Sequence, residues 1–462
     1  MYSTREHLRR ETRRALTSCR WLGIALVLAP LAASASSTFA VVDVNVVPMD
    51  PQGRRLLRRQ TVIVRDGVIA AMGKSSKVDL PPDARIIDGR RKYLLPGLWD
   101  MHAHGEDVGA VPDFDERDLY TLYLANGITG VFDPSGFRDA FAWQRDLERG
   151  RVVGPRLFFT SPAVDDYTHD SADAVEASVR AWHRQGYDRI KVHSPITRDK
   201  FERLHAVARD LGLPVVGHAL RPGFGLQPTL DQGQLMIAHI EEILSTSVSF
   251  EHPEEYVRDL AQPLDAVVSR RTWVTGTVGT YGIIARTVDP EGFEELFARS
   301  EMRFVPPLAK EVWRHSNPYR SPGFLQDPSF WQRLLEVKLY IARRLRDLGA
   351  LDRLLLGTDS GIPLLVPGFG IHQELAFLVE AGLTPWEALL TGTYNPAAFL
   401  ELTAEAGTVA VGKRGDLLLL DENPLRRIGN LRHLAGVAVG GHWLPKPELD
   451  ARLDELAARW EK

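Results

Sequence analysis

Six residues in this chain have side chains suited to holding a metal ion, and each falls at or near the end of a short apolar run. His102 and His104 end the run Leu94-Leu95-Pro96-Gly97-Leu98-Trp99-Asp100-Met101-His102-Ala103-His104. Lys191 lies late in 188–193, His218 in 214–219, His239 in 235–240, and Asp359 ends 354–359. Imidazole nitrogen and carboxylate oxygen suit zinc and similar divalent ions. The first run reads as a buried strand, whose alternation sends His102 and His104 to the same side, where two rings can share one ion. Each residue also has an ordinary reading. His102 and His104 could be surface strand histidines, and His218 or His239 a hydrogen-bonded core histidine. Lys191 could be half-buried in a salt bridge, and Asp359 in Gly-Thr-Asp-Ser-Gly could cap the next helix. Taken jointly, the ordinary readings require several unrelated buried polar groups at equivalent positions. Buried charges must satisfy one another or a cation.

The elements that position these residues follow from the spacing of the apolar runs. There are eight: 94–104, 127–133, 156–160, 188–193, 214–219, 235–240, 272–278 and 354–359, separated by helical stretches. Such alternation belongs to the α/β class with a parallel sheet, and eight units close into a (β/α)8 TIM barrel, placed at 94–403. In that architecture the C-terminal strand ends converge on one mouth, where all six residues would meet. The interval 279–352 is longer than one crossover needs. With Pro306-Pro307, Trp313, His315, Asn317-Pro318 and Tyr319, it predicts an insertion over the mouth. Residues 40–93 and 404–445 are strand-like, with a hairpin turn at Asp66-Gly67, and predict a small β-sandwich formed from both chain ends. Residues 446–462 predict a terminal helix.

The 462 residues are 44% hydrophobic and 25% charged, an ordinary globular composition. A net charge of −4 leaves no basic footprint for nucleic acid. Residues 1–35 have the layout of a signal peptide: Arg5, Arg9, Arg10, Arg13, Arg14 and Arg20, then an apolar run from Trp21 to Leu31, then Ala33-Ser34-Ala35 as a cleavage site. Cleavage after Ala40 is a weaker option. Thr12-Arg13-Arg14-Ala15-Leu16 partly resembles a twin-arginine export signal. The expected location is periplasmic or secreted, with no stable membrane anchor once the signal is removed; an uncleaved anchor is the alternative. Cys19, the sole cysteine, would leave with the signal, so metal ligands must be His, Asp, Glu or a modified Lys.

From about Val41 to Trp443 the chain resembles the amidohydrolase superfamily of metal-dependent hydrolases. The resemblance rests on Leu-Pro-Gly-Leu-Trp-Asp-Met-His-Ala-His, Ile-Lys-Val-His at 190–193, Gly-His-Ala at 217–219, Ala-His-Ile-Glu-Glu at 238–242 and Gly-Thr-Asp-Ser-Gly at 357–361. His372-Gln373-Glu374-Leu375 and Gly412-Lys413-Arg414-Gly415-Asp416-Leu417 add to it. The nearest branch is imidazolonepropionase-like and prolidase-like. The resemblance implies two divalent metal ions, zinc first with manganese an alternative. It assigns His102, His104 and Asp359 to one ion, His218 and His239 to the other, and a carboxylated Lys191 as the bridge. A free ammonium beside two cations would be repelled, whereas a carbamate is an anionic oxygen ligand. The implied reaction is hydrolysis of a C–N amide bond in a small molecule, a dipeptide or N-acyl amino acid, with Asp359 as general acid and base.

Departures from the family narrow this. Deaminases of the superfamily carry a Glu shortly after the fifth-strand histidine, but His218 is followed by Ala219-Leu220-Arg221. Mononuclear imidazolonepropionase lacks the bridging lysine. Candidates for substrate contact are His193, Arg221, Tyr167, His169 and Tyr281, with Arg221, Arg314 or Arg320 available for a substrate carboxylate. His372 or Glu241 could support the site from behind. Two other readings stand beside the amidase: a lactonase or phosphoester hydrolase on the same metals, and a non-catalytic binding barrel. Homo-oligomers are common among relatives, although no residue here indicates one.

Overall fold

The computed structural model describes residues 38–105, 116–220, 225–244 and 253–460. The signal reading of 1–35 and the candidate Arg221 lie outside them. Among the described residues, no helix is long and apolar enough to cross a membrane.

The two chain ends meet in one sheet. Leu57–Arg65 and Val68–Lys74 pair antiparallel across Asp66 and Gly67, both at positive φ, as expected for a two-residue hairpin turn. Thr38–Val46 lies beside Leu57–Arg65, and its other edge takes Arg85–Asp88 and then Tyr93–Pro96 in parallel. Tyr93–Pro96 continues into Leu417–Leu420, Leu434–Val439 and His442–Pro445. Hydrogen bonding thus joins all eight strands, drawn from both chain ends, into a single sheet. Its apolar face packs Phe39, Val41, Val62, Val64, Ile69 and Leu94 against Leu417 and Leu419. The helix Lys446–Trp460 ends the described chain.

The remaining strands are all parallel. Leu98–Asp100, Ile128–Asp133 and Arg156–Phe159 form one ladder. Ala163–Val164, Ile190–Val192, Val215–Gly217, Met236–Ile237, Trp273–Thr275 and Leu354–Leu355 form the second. The third pass bends at Ser161, whose N–H donates to the Arg189 carbonyl at 2.9 Å, and so carries the first ladder into the second. At the far seam, Met101 N–H donates to the Leu356 carbonyl at 2.8 Å, and Ala103 bridges Ser360 in parallel. Eight chain passes therefore act as staves of a barrel. The first apolar run is divided between two units: Tyr93–Pro96 belongs to the end sheet, and the barrel begins at Leu98. Gly97 makes the joint, because a Cβ there would lie 1.9 Å from Thr129 Oγ1.

The long seventh crossover is helical. Val278–Val288, Pro290–Phe297, Pro307–His315 and Pro328–Asp347 follow one another. Prolines in the first turns begin the last three, where no backbone N–H is missed. Trp313 is fully buried with Ile283, Phe293, Leu296 and Phe304, in an apolar cluster that also takes in Leu122, Leu365 and Leu456 from outside the insertion.

Candidate functional site

The seam that closes the barrel also builds the site floor. Asp100, fully buried at the end of Leu98–Asp100, accepts hydrogen bonds from Thr358 N–H at 2.9 Å, Thr358 Oγ1 at 2.6 Å and His102 N–H at 3.3 Å. Burial pushes its carboxyl up to about 7 despite these donors. Asp359 N–H donates to the His102 carbonyl and His104 N–H to the Ser360 carbonyl, so the first and last strand ends are locked together.

Two residues that close the site stand in left-handed backbone: His239 at φ 71° and Asp359 at φ 57°. Thr277, beside them, has φ 44°, a genuine outlier for a β-branched residue. Such strain persists only where surrounding contacts hold it. Here Thr277 Oγ1 is 2.9 Å from His239 Nδ1, and the Thr277 carbonyl accepts from Lys338 Nζ at 2.8 Å. His239 N–H also donates to Thr275 Oγ1 at 3.1 Å. The contact at Nδ1 leaves Nε2 as the ring atom available for a ligand.

One ligand atom each from His102, His239 and Asp359 lies within 4.8 Å of the others. This trio takes a histidine from each of the two sets the resemblance implies. His104 is tied to the same carboxylate, its Nε2 3.2 Å from Asp359 Oδ1. Its Nδ1 lies 3.7 Å from Asp133, a carboxylate that Gly105 and Ser135 N–H groups hold in place. Burial would lower the His104 imidazole, but Asp133 and Asp359 together raise it to about 10. His102 is held neutral, chiefly by burial and then by the His239 and Lys191 charges. Asp359 would be raised by burial, yet His239, His104 and Lys191 hold it below the usual carboxylate range.

Lys191 and His218 line the same cavity of about 450 Å³ as His102, His104, His239 and Asp359. Lys191 is 1% exposed, and burial lowers its ammonium to about 8 although Asp359, Asp133 and Glu242 favour the charge. The imidazole rings run in series, with His102 4.5 Å from His239, His239 4.8 Å from His218, and His218 4.4 Å from His193. His218 Nδ1 faces Glu242 Oε1 at 3.3 Å. The residues fit divalent metal: the donors are nitrogen and oxygen, and the buried Nδ1 of His102 has no hydrogen-bond partner among the described residues. His102, His104, His218, His239 and Asp359 could ligate directly, and Lys191 after modification.

Of the candidates for substrate contact, His193 and Tyr281 line the cavity. Tyr167 does not. The Asp165 carboxylate accepts from Tyr167 and Thr168 N–H groups in a tight turn that leaves Tyr167 80% exposed. His169 is buried away from the cavity, its Nδ1 2.9 Å from Thr168 Oγ1 and its ring 5.9 Å from Trp182. Arg314 pairs with Glu294 and Arg320 with the Thr287 carbonyl, so neither reaches the cavity. His372 is buried beside Asn126 and does not line it. Glu241 does line it, paired with Lys338 at 2.7 Å. Asp133, Glu242, Thr277 and Lys338 were missed from sequence. Asp133 ends the second apolar run and Glu242 stands in Ala-His-Ile-Glu-Glu, so both left a signal.

Thr277→Val keeps the shape and removes the contact to His239 Nδ1. Metal affinity is expected to fall about 10- to 100-fold, read by titrating the metal-stripped protein with zinc. Unchanged affinity would show that Thr277 does not orient the ring.

Comparison with known proteins places the chain in a family. Residues 93–444 match the model of the amidohydrolase family. An imidazolonepropionase from Rubrobacter xylanophilus is 26% identical over 424 residues, 83% of this chain and 91% of that protein. An enamidase from Eubacterium barkeri is 22% identical over 388 residues, 79% and 82% of the two chains. Among solved structures, a bottromycin amidohydrolase superposes with a TM-score of 0.69 at 24% identity, covering 92% of this chain and 90% of that one. A Xaa-Pro dipeptidase gives 0.65 at 17% identity, covering 88% and 100%. At such identities the two structures speak to the barrel fold alone.

Proposed function

The chain belongs to the amidohydrolase family, and we propose that it is an exported binuclear hydrolase that cleaves the C–N amide bond of a small molecule. It is a metal-dependent hydrolase acting on carbon–nitrogen bonds, in keeping with the family. The observation that carries the reading is the convergence of His102, His239 and Asp359 within 4.8 Å, in a cavity shared with His104, Lys191 and His218. Divalent metal held there supplies Lewis acidity and a water that ionises near neutral pH. Lys191, converted to a carbamate, would add an anionic ligand between the two histidine groups. Asp359 is the general acid and base. Its carboxylate is ionised and within reach of the floor, so it can take a proton from the attacking water and return it to the leaving amine. His104 holds that carboxylate in position at 3.2 Å.

The test is hydrolysis by the mature protein, prepared with zinc and bicarbonate. Three panels are offered: dipeptides, N-acyl amino acids, and lactones with phosphotriesters. Amine release with two metals per chain is the expected result. Turnover confined to the third panel would replace the amidase with a lactonase or phosphoester hydrolase. Two bound metals without turnover on any panel would favour a binding barrel.

A further inference from the structure

The cavity has two unlike halves. The floor is polar, made of the histidines, Lys191, Asp359, Glu241 and Glu242. The facing wall carries four aromatic rings, Tyr281, Tyr319, Phe324 and Trp331, all from the seventh crossover. Phe324 and Trp331 stack with centroids 4.6 Å apart and planes at 7°. Trp331 Nε1–H donates to the Phe324 carbonyl at 3.0 Å, which holds the stack in register. Tyr319 sets its ring edge-on to Phe324 at 5.2 Å, and Tyr281 lies 6.2 Å from Trp331. Asn317 Oδ1 accepts from Tyr319 N–H at 3.0 Å, and Pro318, Pro322 and Pro328 stiffen the backbone between these rings.

The wall is therefore built before any ligand arrives. Rings presented on a rigid backbone lose little freedom on binding and favour a further ring by offset or edge contact. Ile284, Ile362 and Pro363 extend the apolar side. Among the described residues, Lys191 is the only lysine or arginine in the lining, and it belongs to the floor. The wall thus offers planar apolar area. About 450 Å³ is also more than an acetylated small amino acid needs.

We infer that the wall of Tyr281, Tyr319, Phe324 and Trp331 is a subsite for an aromatic group, so that the enzyme acts on aromatic amides in preference to small aliphatic ones. The inference rests on the amide-hydrolase reading for its substrate class, but the subsite can be tested apart from turnover.

Two measurements do so on the zinc-loaded protein. The first is calorimetric binding of phenylphosphonate and methylphosphonate, which share a head group and differ only in the ring. Phenylphosphonate is expected to bind roughly tenfold more tightly. Phe324→Leu, which keeps apolar volume and removes the ring, and Trp331→Ala should each reduce that ratio at least threefold. The second compares kcat/KM within matched pairs: N-benzoylglycine against N-acetylglycine, and N-acetylphenylalanine against N-acetylalanine. The ring-bearing member of at least one pair should lead by roughly tenfold, with the same drop in ratio in the variants. Equal affinity for the two phosphonates, no binding of either, or a ratio untouched by both variants would overturn the subsite. A phenyl preference in binding with no turnover of any amide would keep the subsite and remove the amidase reading.

Discussion

Lys191→Ala is expected to lower kcat/KM for amide hydrolysis on the order of a thousandfold or more while leaving the protein folded. Lys191 is 1% exposed, in the middle of the strand Ile190–Val192, with Asp359, Asp133 and Glu242 near enough to favour its charge. Removing the side chain leaves the four histidines and Asp359, so metal can still bind to the trio of His102, His239 and Asp359. On the proposed binuclear reading, the bridge between the two histidine groups is what disappears. Metal analysis should then find about one ion per chain where the proposed binuclear parent would hold two, with an unchanged circular dichroism spectrum. Short carboxylic acids added to the variant are expected to restore part of the rate by standing in for the carbamate. A variant that keeps both ions and most of its activity would remove Lys191 from the metal centre.

Lys338→Met is expected to destabilise the protein by about 3–5 kcal/mol, the range for removing one partner of a buried ion pair. Lys338 is fully buried on the helix Pro328–Asp347, and its Nζ lies 2.7 Å from Glu241 Oε2 and 2.8 Å from the Thr277 carbonyl. The ammonium also sits 3.7 Å from the Tyr281 ring centroid. Burial lowers its pKa, and Glu241 opposes that shift. Methionine fills much of the volume but leaves the Glu241 carboxylate without its cation and the Thr277 carbonyl without its donor. Urea unfolding reads the loss. The double variant Lys338→Met/Glu241→Gln should recover more than half of it, because the stranded charge is gone. A single variant within about 1 kcal/mol of the parent, or a double variant as unstable as the single, would show that the pair is not what braces this side of the site.

The convergence of the six candidate residues was legible in the sequence because barrel geometry is periodic. A short apolar run ending in a polar residue marks a strand end, and parallel strands joined by helices bring all such ends to one mouth. His102, His104, Lys191, His218, His239 and Asp359 therefore meet in one cavity even though 257 positions separate the first from the last, 359 minus 102. The hairpin at Asp66-Gly67 was equally plain, since an Asp-Gly pair between two strand-like runs is a strong two-residue turn signal, and both residues do take positive φ. Local rules could not divide the run 94–104. That division depends on a side chain from another strand, Thr129, pressing against Gly97.

Only the tertiary structure decided what surrounds the ligands. The Lys338 contacts to Thr277 and Glu241 join a crossover helix to two strand ends, and no spacing rule links such positions. The same holds for the aromatic wall, where Tyr319, Phe324 and Trp331 sit in a loop-and-helix insertion and are held together by ring contacts with one another. Tyr167 and His169 failed as pocket residues because an Asp165 turn directs one to solvent and leaves the other against Trp182. Strand ends are placed by the repeat of the fold and can be read in order along the chain. Loops and insertions are placed by side-chain contacts between distant segments, so the convergence of the six candidate residues could be read in the sequence and the surroundings of their cavity could not.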